Sequence, residues 1–365
     1  MYVCSGRGQH RTIAKHRTHS SIITRSNAMI LDDFFDTMLP AIEEEMQGCV
    51  ALANGPGLEE LHHMMAYHLG WEGEGAGPQA SGKRVRPMLV LLSCEAAGGD
   101  WRQALPAAAA VELIHNFSLI HDDIQDDSEL RRGRTTVWKK WNVAQAINAG
   151  DSMFALAHVS LQRLDKYVKP EVALKAARVL PQTSLELTQG QYLDLDYETR
   201  ENLTVDDYWP MVNGKTAALL AACTQLGALV AGADENIRDL YCSFGKQLGL
   251  AFQAYDDLLG IWGDAALTGK SAASDLISGK KSLPVLYAIA KEGDFSKRWE
   301  QGPIQQDEVE AIANQLEEEG ARQYTQDAAD RLTGGALEDL ESAKPQGDAA
   351  EGLKQLAQRL VKREV

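Results

Sequence analysis

Two short acidic runs hold the residues best suited to chemistry. Leu119-Ile120-His121-Asp122-Asp123-Ile124-Gln125-Asp126-Asp127 places four carboxylates within six residues. Phe252-Gln253-Ala254-Tyr255-Asp256-Asp257-Leu258-Leu259-Gly260 places two side by side at the end of an apolar stretch. Asp122 and Asp126 are four apart, so on a helix their carboxylates stack on one face. Like charges at that spacing destabilise a helix by a few tenths of a kcal/mol, and an acidic C-terminus opposes the helix dipole. Hard divalent cations offset such a cluster. Mg²⁺ takes one or two carboxylates and completes its octahedron with water and phosphate oxygens. The bland alternative is a solvated helix end, and the flanks argue against it. His115 lies two turns, about 10 Å, before Asp122, and Arg131-Arg132-Gly133-Arg134 follows at once. Adjacent arginines suit bidentate phosphate binding.

These residues need helices to place them. From Leu31 onward nearly every segment has helical periodicity, broken where Gly and Pro cluster, as at Gly70–Gly82 and Gly263–Gly269. Residues 104–127 carry Leu105, Ala108, Val111, Ile114 and Phe117 on one stripe, and 239–259 carry Phe244, Leu248 and Phe252. Residues 214–231 are almost wholly apolar, which predicts a buried helix. No strand pattern of useful length and no repeat is present. The expectation is one all-α domain over 29–365, a bundle of ten or more helices around a central cavity, with a polar, peripheral tail after about 295. Two acidic helix ends facing each other across such a bundle would clamp a polyphosphate through several metal ions.

The chain has 365 residues, 44% of them hydrophobic, and a net charge of −16. That balance supports a large core. It disfavours a nucleic-acid surface and binding to anionic lipid. No apolar run reaches the roughly 18 residues of a membrane span, so no stable membrane insertion is expected. Five cysteines without a paired motif suggest free thiols and a reducing, cytoplasmic setting. Residues 1–28 carry five basic residues and no acid; setting them aside leaves −21 on the rest. They read as a disordered or non-native leader, with a transit peptide as the alternative.

Further along, Gly82-Lys83-Arg84-Val85-Arg86-Pro87, Gly190-Gln191-x-x-Asp194, Gly214-Lys215-Thr216 and Gly279-Lys280-Lys281 punctuate the chain. Together with the two acidic runs, in this order over residues 80–290, they resemble the trans-isoprenyl diphosphate synthases, which include farnesyl and geranylgeranyl diphosphate synthases. The resemblance implies an all-α isoprenoid-synthase fold, a homodimer, and three Mg²⁺ ions, with Mn²⁺ as a substitute. It implies that Lys83, Arg86, His115 and Arg132 hold isopentenyl diphosphate. Arg131, Lys215, Lys270 and Lys280 would hold the allylic diphosphate. Asp122, Asp126 and Asp256 would be metal ligands, with Asp123 and Asp257 bound directly or through water. Lys215 would act with Thr216 and Gln253, whose oxygen dipoles face the developing allylic cation, and Gln191 and Asp194 would stand behind the ligands. The chain departs from the family at Gly260, where the second cluster commonly ends in a third aspartate; Asp264 is a candidate replacement.

No side-chain nucleophile is needed for this chemistry. Diphosphate departs, the isopentenyl double bond attacks the allylic cation, and a proton is lost to the leaving diphosphate. Phe117 and Ser118, five and four residues before Asp122, are the candidate chain-length stop. On the family pattern this implies products of fifteen to twenty carbons, geranylgeranyl or farnesyl diphosphate. A class I terpene cyclase or a head-to-head squalene or phytoene synthase would not need Lys83, Arg86 and Arg132. A non-catalytic partner subunit should have lost aspartates that are all present here.

Overall fold

A computed structural model describes the backbone of residues 19–263 and 273–362, and side chains from Ile30 onward. The chain is all-α, as its periodicity predicts. In chain order the helices are α1 (His19–Val50), α2 (Glu59–His68), α3 (Pro78–Ser81), α4 (Val85–Ala96), α5 (Leu105–Gln125), α6 (Val137–Lys140), α7 (Val143–Gln162) and α8 (Pro170–Thr199). There follow α9 (Val205–Val212), α10 (Ala218–Val230), α11 (Glu235–Trp262), α12 (Ser274–Ile277), α13 (Leu283–Ala290), α14 (Asp294–Trp299), α15 (Val309–Glu318), α16 (Ala321–Ser342) and α17 (Gly347–Lys362). Helix α1 begins ten residues before Met29.

The most apolar segments take the centre. Of α10, only Gln225 is not buried, and the Ala107–Leu113 run of α5 is buried throughout. Small Ala side chains let α5 pack closely on α7, and α10 on α4 and α11. Start signals agree with the chain: Asp234 accepts from the Ile237 amide at the head of α11 (3.0 Å), and Thr204 with Asp207 forms a capping box on α9.

Two features depart from the sequence expectation. The tail is not peripheral. Helix α16 lies along α11, and α17 packs on α4 and α1, burying Leu353, Leu356 and Ala357 completely or nearly so. Its polar residues occupy one face only, so average polarity concealed an amphipathic helix. The second departure is a two-stranded ribbon, β1 (Leu130–Arg131) with β2 (Arg134–Thr135), in antiparallel register Leu130↔Thr135 and Arg131↔Arg134. Arg132 and Gly133, with φ of 52° and 73°, form its turn. Positive φ at both turn positions matches the right-handed twist of a tight hairpin.

Candidate active site

The first cluster sits at the C-terminus of α5, with Asp126 as the cap residue. The helix resolves the four carboxylates by direction. Asp122 faces a cavity of about 700 Å³ together with Asp126, Asp194, Lys215, Asp256 and Lys280. Asp123, about 100° round the helix, is 1% exposed. Its Oδ1 accepts from Nε of Arg131 at 2.7 Å, and the same guanidinium reaches Asp122 Oδ2 at 3.5 Å. Burial pushes the Asp123 carboxyl up to about 6 against the pull of Arg131. Desolvation on its cavity side and the charge of Asp122 likewise push Asp126 up to about 6.

The opposite wall comes from α8, α11 and the turn before α10. Lys215 and Thr216 lie in a π-helical turn, Asn213–Ala217, the kind of helical irregularity that often marks function. The turn is pressed against α8 at glycines: a Cβ on Gly190 would lie 2.0 Å from the Lys215 nitrogen. Only glycine permits that approach, and it sets the Lys215 ammonium between Asp194, in close contact, and Asp122 Oδ1 at 3.6 Å. Thr216 Oγ1 donates to Gln253 Oε1 at 3.0 Å. The Gln253 amide donates to Asp257 Oδ1 at 3.1 Å and to Asp256 Oδ2 at 3.4 Å. The two acidic helix ends therefore share one cavity, with Lys215 paired to Asp122 on one side and Lys280 to Asp257 on the other.

Asp257 borders the same cavity and is held more tightly by the protein than Asp256. It is 0% exposed. Oδ2 accepts from the Tyr208 hydroxyl at 2.7 Å and the Leu283 amide at 3.0 Å, while Oδ1 also takes Nζ of Lys280 at 3.3 Å. Both oxygens accept hydrogen bonds from the protein, so Asp257 anchors the wall of the cavity that it lines together with Asp256. Lys280 is likewise drawn into ion pairs with Asp257 and Asp275, and those carboxylates, overcoming burial, raise its pKa. Lys281 is held by the carbonyls of Tyr197, Glu198 and Arg200. Asp264 and Lys270 lie outside the described residues.

A second cavity, of about 570 Å³, opens beside the first. Lys83, Arg86, His115 and Arg132 line it, with Leu220 and Phe252 as apolar wall. Its cations are poorly compensated. Burial lowers the pKa of Arg86, and burial with neighbouring arginines lowers that of Arg132. Nε of Arg86 is buried without a partner, while its NH1 lies 3.2 Å from Nε2 of His115. A guanidinium can only donate, so that nitrogen accepts and the proton of a neutral His115 sits on Nδ1. Burial and Arg86 keep the imidazole neutral, well below its ordinary range. Arg132 donates to the Ala80 carbonyl at 2.9 Å, and it packs where a Cβ on Gly82 (φ 79°) would be, 2.6 Å from NH2. This explains the glycine that opens the Gly82–Pro87 segment.

Arg84, in the same segment, does not belong to the cavity chemistry. It is 3% exposed and ties Glu43 of α1 (2.7 Å) to Glu112 of α5 (2.9 Å). Phe117 and Ser118 line neither cavity. The Phe117 ring meets Phe154 of α7 and His121 edge-on, at 5.1 and 5.2 Å, and Ser118 donates to the His115 carbonyl at 2.8 Å. Gln191 donates to Gln125 at 3.0 Å, next to the first cluster. Tyr208, Asp275 and Arg84 were not legible as site residues, because each acts through a partner distant in sequence.

The oxygen donor set fits a hard cation. Asp122 and Asp126 present carboxylates to one cavity, and burial disfavours the charge of Asp126 until positive charge arrives. Among the described residues, no three His, Cys, Asp or Glu side chains converge into a closed cage, no helix is long and apolar enough to cross a membrane, and the four cysteines are unpaired.

Comparison with known proteins gives the same picture. The polyprenyl synthetase family matches residues 77–316. A (2E,6E)-farnesyl diphosphate synthase of Mycobacterium tuberculosis is 43% identical over 281 residues, covering 74% of this chain and 77% of its own. A geranylgeranyl diphosphate synthase of Methanosarcina mazei is 40% identical over 250 residues, covering 68% and 76%. The crystal structure of a polyprenyl synthetase from Streptomyces coelicolor superposes with a TM-score of 0.81 at 38% identity, covering 91% of this chain and 99% of that one.

Proposed function

The chain belongs to the polyprenyl synthetase family and is a prenyltransferase, and we propose that it joins isopentenyl diphosphate to an allylic diphosphate to give a product of fifteen to twenty carbons. One observation carries the reading. The acidic and basic cavities lie along the same helix, with His115 in one and Asp122 in the other, seven residues and about 10 Å apart. That separation suits two diphosphate groups whose hydrocarbon ends must meet.

The basic cavity is assigned to isopentenyl diphosphate. Arg86, Arg132 and Lys83 supply charge, and neutral His115 offers a hydrogen bond. Asp122, Asp126 and Asp256 would hold Mg²⁺ or Mn²⁺, three ions on the family pattern, and the metal would supply electrostatic stabilisation of the departing diphosphate. Lys215 and Arg131 stand against the same carboxylates and would turn to the allylic diphosphate as metal enters. Thr216 Oγ1 and Gln253 Oε1 lie at the cavity wall and would face positive charge on the allylic carbon. Met211, Val212, Leu220 and Phe252 exclude water from the reacting ends. A terpene cyclase, or a subunit without activity, is not favoured.

Product length is assigned to Phe117, about 7.5 Å along α5 from Asp122, which would stop an alkyl chain growing beyond the two cavities toward Phe154 of α7. The protein is assigned to the cytoplasm and to a homodimer. Val143, Ile147 and Phe154 of α7, with Leu174, Leu185 and Tyr192 of α8, are at least 36% exposed and form an apolar face for a second copy. The test is condensation by the purified chain with isopentenyl diphosphate, each allylic primer and Mg²⁺. Asp122→Ala should abolish it; wild-type turnover by that variant would end the assignment.

A further inference from the structure

The second acidic helix runs short of charge at residue 260. That position is four residues past Asp256, on the same face of α11 one turn further on, and it is glycine. The space its side chain would fill is already taken. A Cβ on Gly260 would lie 2.3 Å from Oδ2 of Asp275, 2.5 Å from its Cγ and 2.8 Å from Oδ1. No side chain fits at 260 while Asp275 keeps its place. Asp275 comes from α12, is 5% exposed, and lines the cavity shared by Asp122, Asp126 and Asp256. Its Oδ2 lies 3.6 Å from Nζ of Lys280, which also reaches Asp257 at 3.3 Å.

Resting on the prenyltransferase reading of that cavity, we infer that Asp275 replaces the carboxylate absent at 260, and that Gly260 is the residue that admits it. Asp275 is a positioning residue. It restores negative charge one turn from Asp256, and it holds the Lys280 ammonium at the cavity wall. Its target is the complex of divalent cation and diphosphate gathered at Asp256. Charge at this spot comes from a neighbouring helix, so the aspartate is invisible to any reading of spacing along α11.

The test moves the carboxylate back. The full chain is compared with Asp275→Asn, with Gly260→Asp, and with the double variant Gly260→Asp/Asp275→Gly. Mg²⁺-dependent binding of inorganic pyrophosphate is measured by calorimetry, and KM is measured for each substrate. Asp275→Asn should weaken pyrophosphate binding about tenfold, the size expected when a group supporting a metal site is lost, and should raise KM for the allylic substrate but not for isopentenyl diphosphate. Gly260→Asp alone should bind worse than wild type, because two carboxylates compete for one space. The double variant should return to within about threefold of wild type. Unchanged binding by folded Asp275→Asn would overturn the inference, as would a double variant that binds no better than the single variant Asp275→Gly, measured beside it. Asp122→Ala, run alongside, separates the two claims: full condensation there removes the reading of the cavity itself.

Discussion

The two neighbouring aspartates of the second cluster should fail in opposite ways when removed. Asp257 accepts four hydrogen bonds and is 0% exposed. Replacing it with Ala leaves the Tyr208 hydroxyl (residue 1% exposed) and the Leu283 amide (0%) buried without an acceptor. Each orphaned donor costs about 1–3 kcal/mol. Lys280 keeps Asp275, at 3.6 Å, and so avoids full isolation. The expected loss is about 3–5 kcal/mol, the range for breaking a buried charged pair. Asp256→Ala should lose turnover and cost clearly less stability than Asp257→Ala, because Asp256 is only half-buried and its Gln253 contact is long, 3.4 Å. Urea unfolding followed by circular dichroism, beside turnover with Mg²⁺, reads both quantities. If Asp257→Ala unfolds at the wild-type midpoint, or Asp256→Ala unfolds as early as Asp257→Ala, the division of labour is wrong.

Three further outcomes follow from the same contacts. Arg84→Ala leaves Glu43 and Glu112 facing a buried gap and should cost about 3–5 kcal/mol in the same unfolding assay; a loss below about 1 kcal/mol would remove its bracing role. His68 and His115 have pKa values depressed mainly by burial, then by nearby arginines. The folded state therefore binds fewer protons than the unfolded, so stability is full above the ordinary value of about 6.5 and falls as pH drops below it, by up to about 1.4 kcal/mol per pH unit per histidine; His68→Gln should remove one proton's worth of that slope between pH 6.5 and 5.5. Phe117→Ala should shift products toward longer chains, read by chromatography of dephosphorylated alcohols, and an unchanged product would free Phe117 of that role.

Much of the fold was written in local pattern. Period and glycine breaks predict the helices of α5, α10 and α11, and the four-residue spacing correctly puts Asp122 and Asp126 on one face. What was not legible depends on pairings across sequence. The α17 amphipathicity was masked by its polar half. The β ribbon is too short to alternate, and its signal is the turn pair Arg132-Gly133. Asp257 looked like Asp256 in sequence; only Tyr208 and Leu283, 49 and 26 residues away, show that it is held by the protein. Asp275 lies outside any motif of α11 and becomes visible only through the room left by Gly260.

The two acidic runs share one design that helix geometry imposes. Consecutive residues on a helix point about 100° apart, so the two adjacent aspartates of each run are held differently. In each run the second aspartate is almost fully buried against a cation, Asp123 on Arg131 at 2.7 Å and Asp257 on Lys280 at 3.3 Å, although Asp257 also borders the 700 Å³ cavity. In the first run the buried aspartate holds a basic side chain beside the outward one, with Arg131 3.5 Å from Asp122 Oδ2. That basic group limits repulsion between the facing walls before metal binds, and it stands within reach of any diphosphate the metals bring. On the proposed reading, a doubled aspartate would combine a metal ligand with the holder of its counter-charge. It follows that swapping the pair partners, Arg131→Glu with Asp123→Arg, should fail to restore function even where the ion pair re-forms, because the positive charge would then be buried behind the ligand instead of beside it.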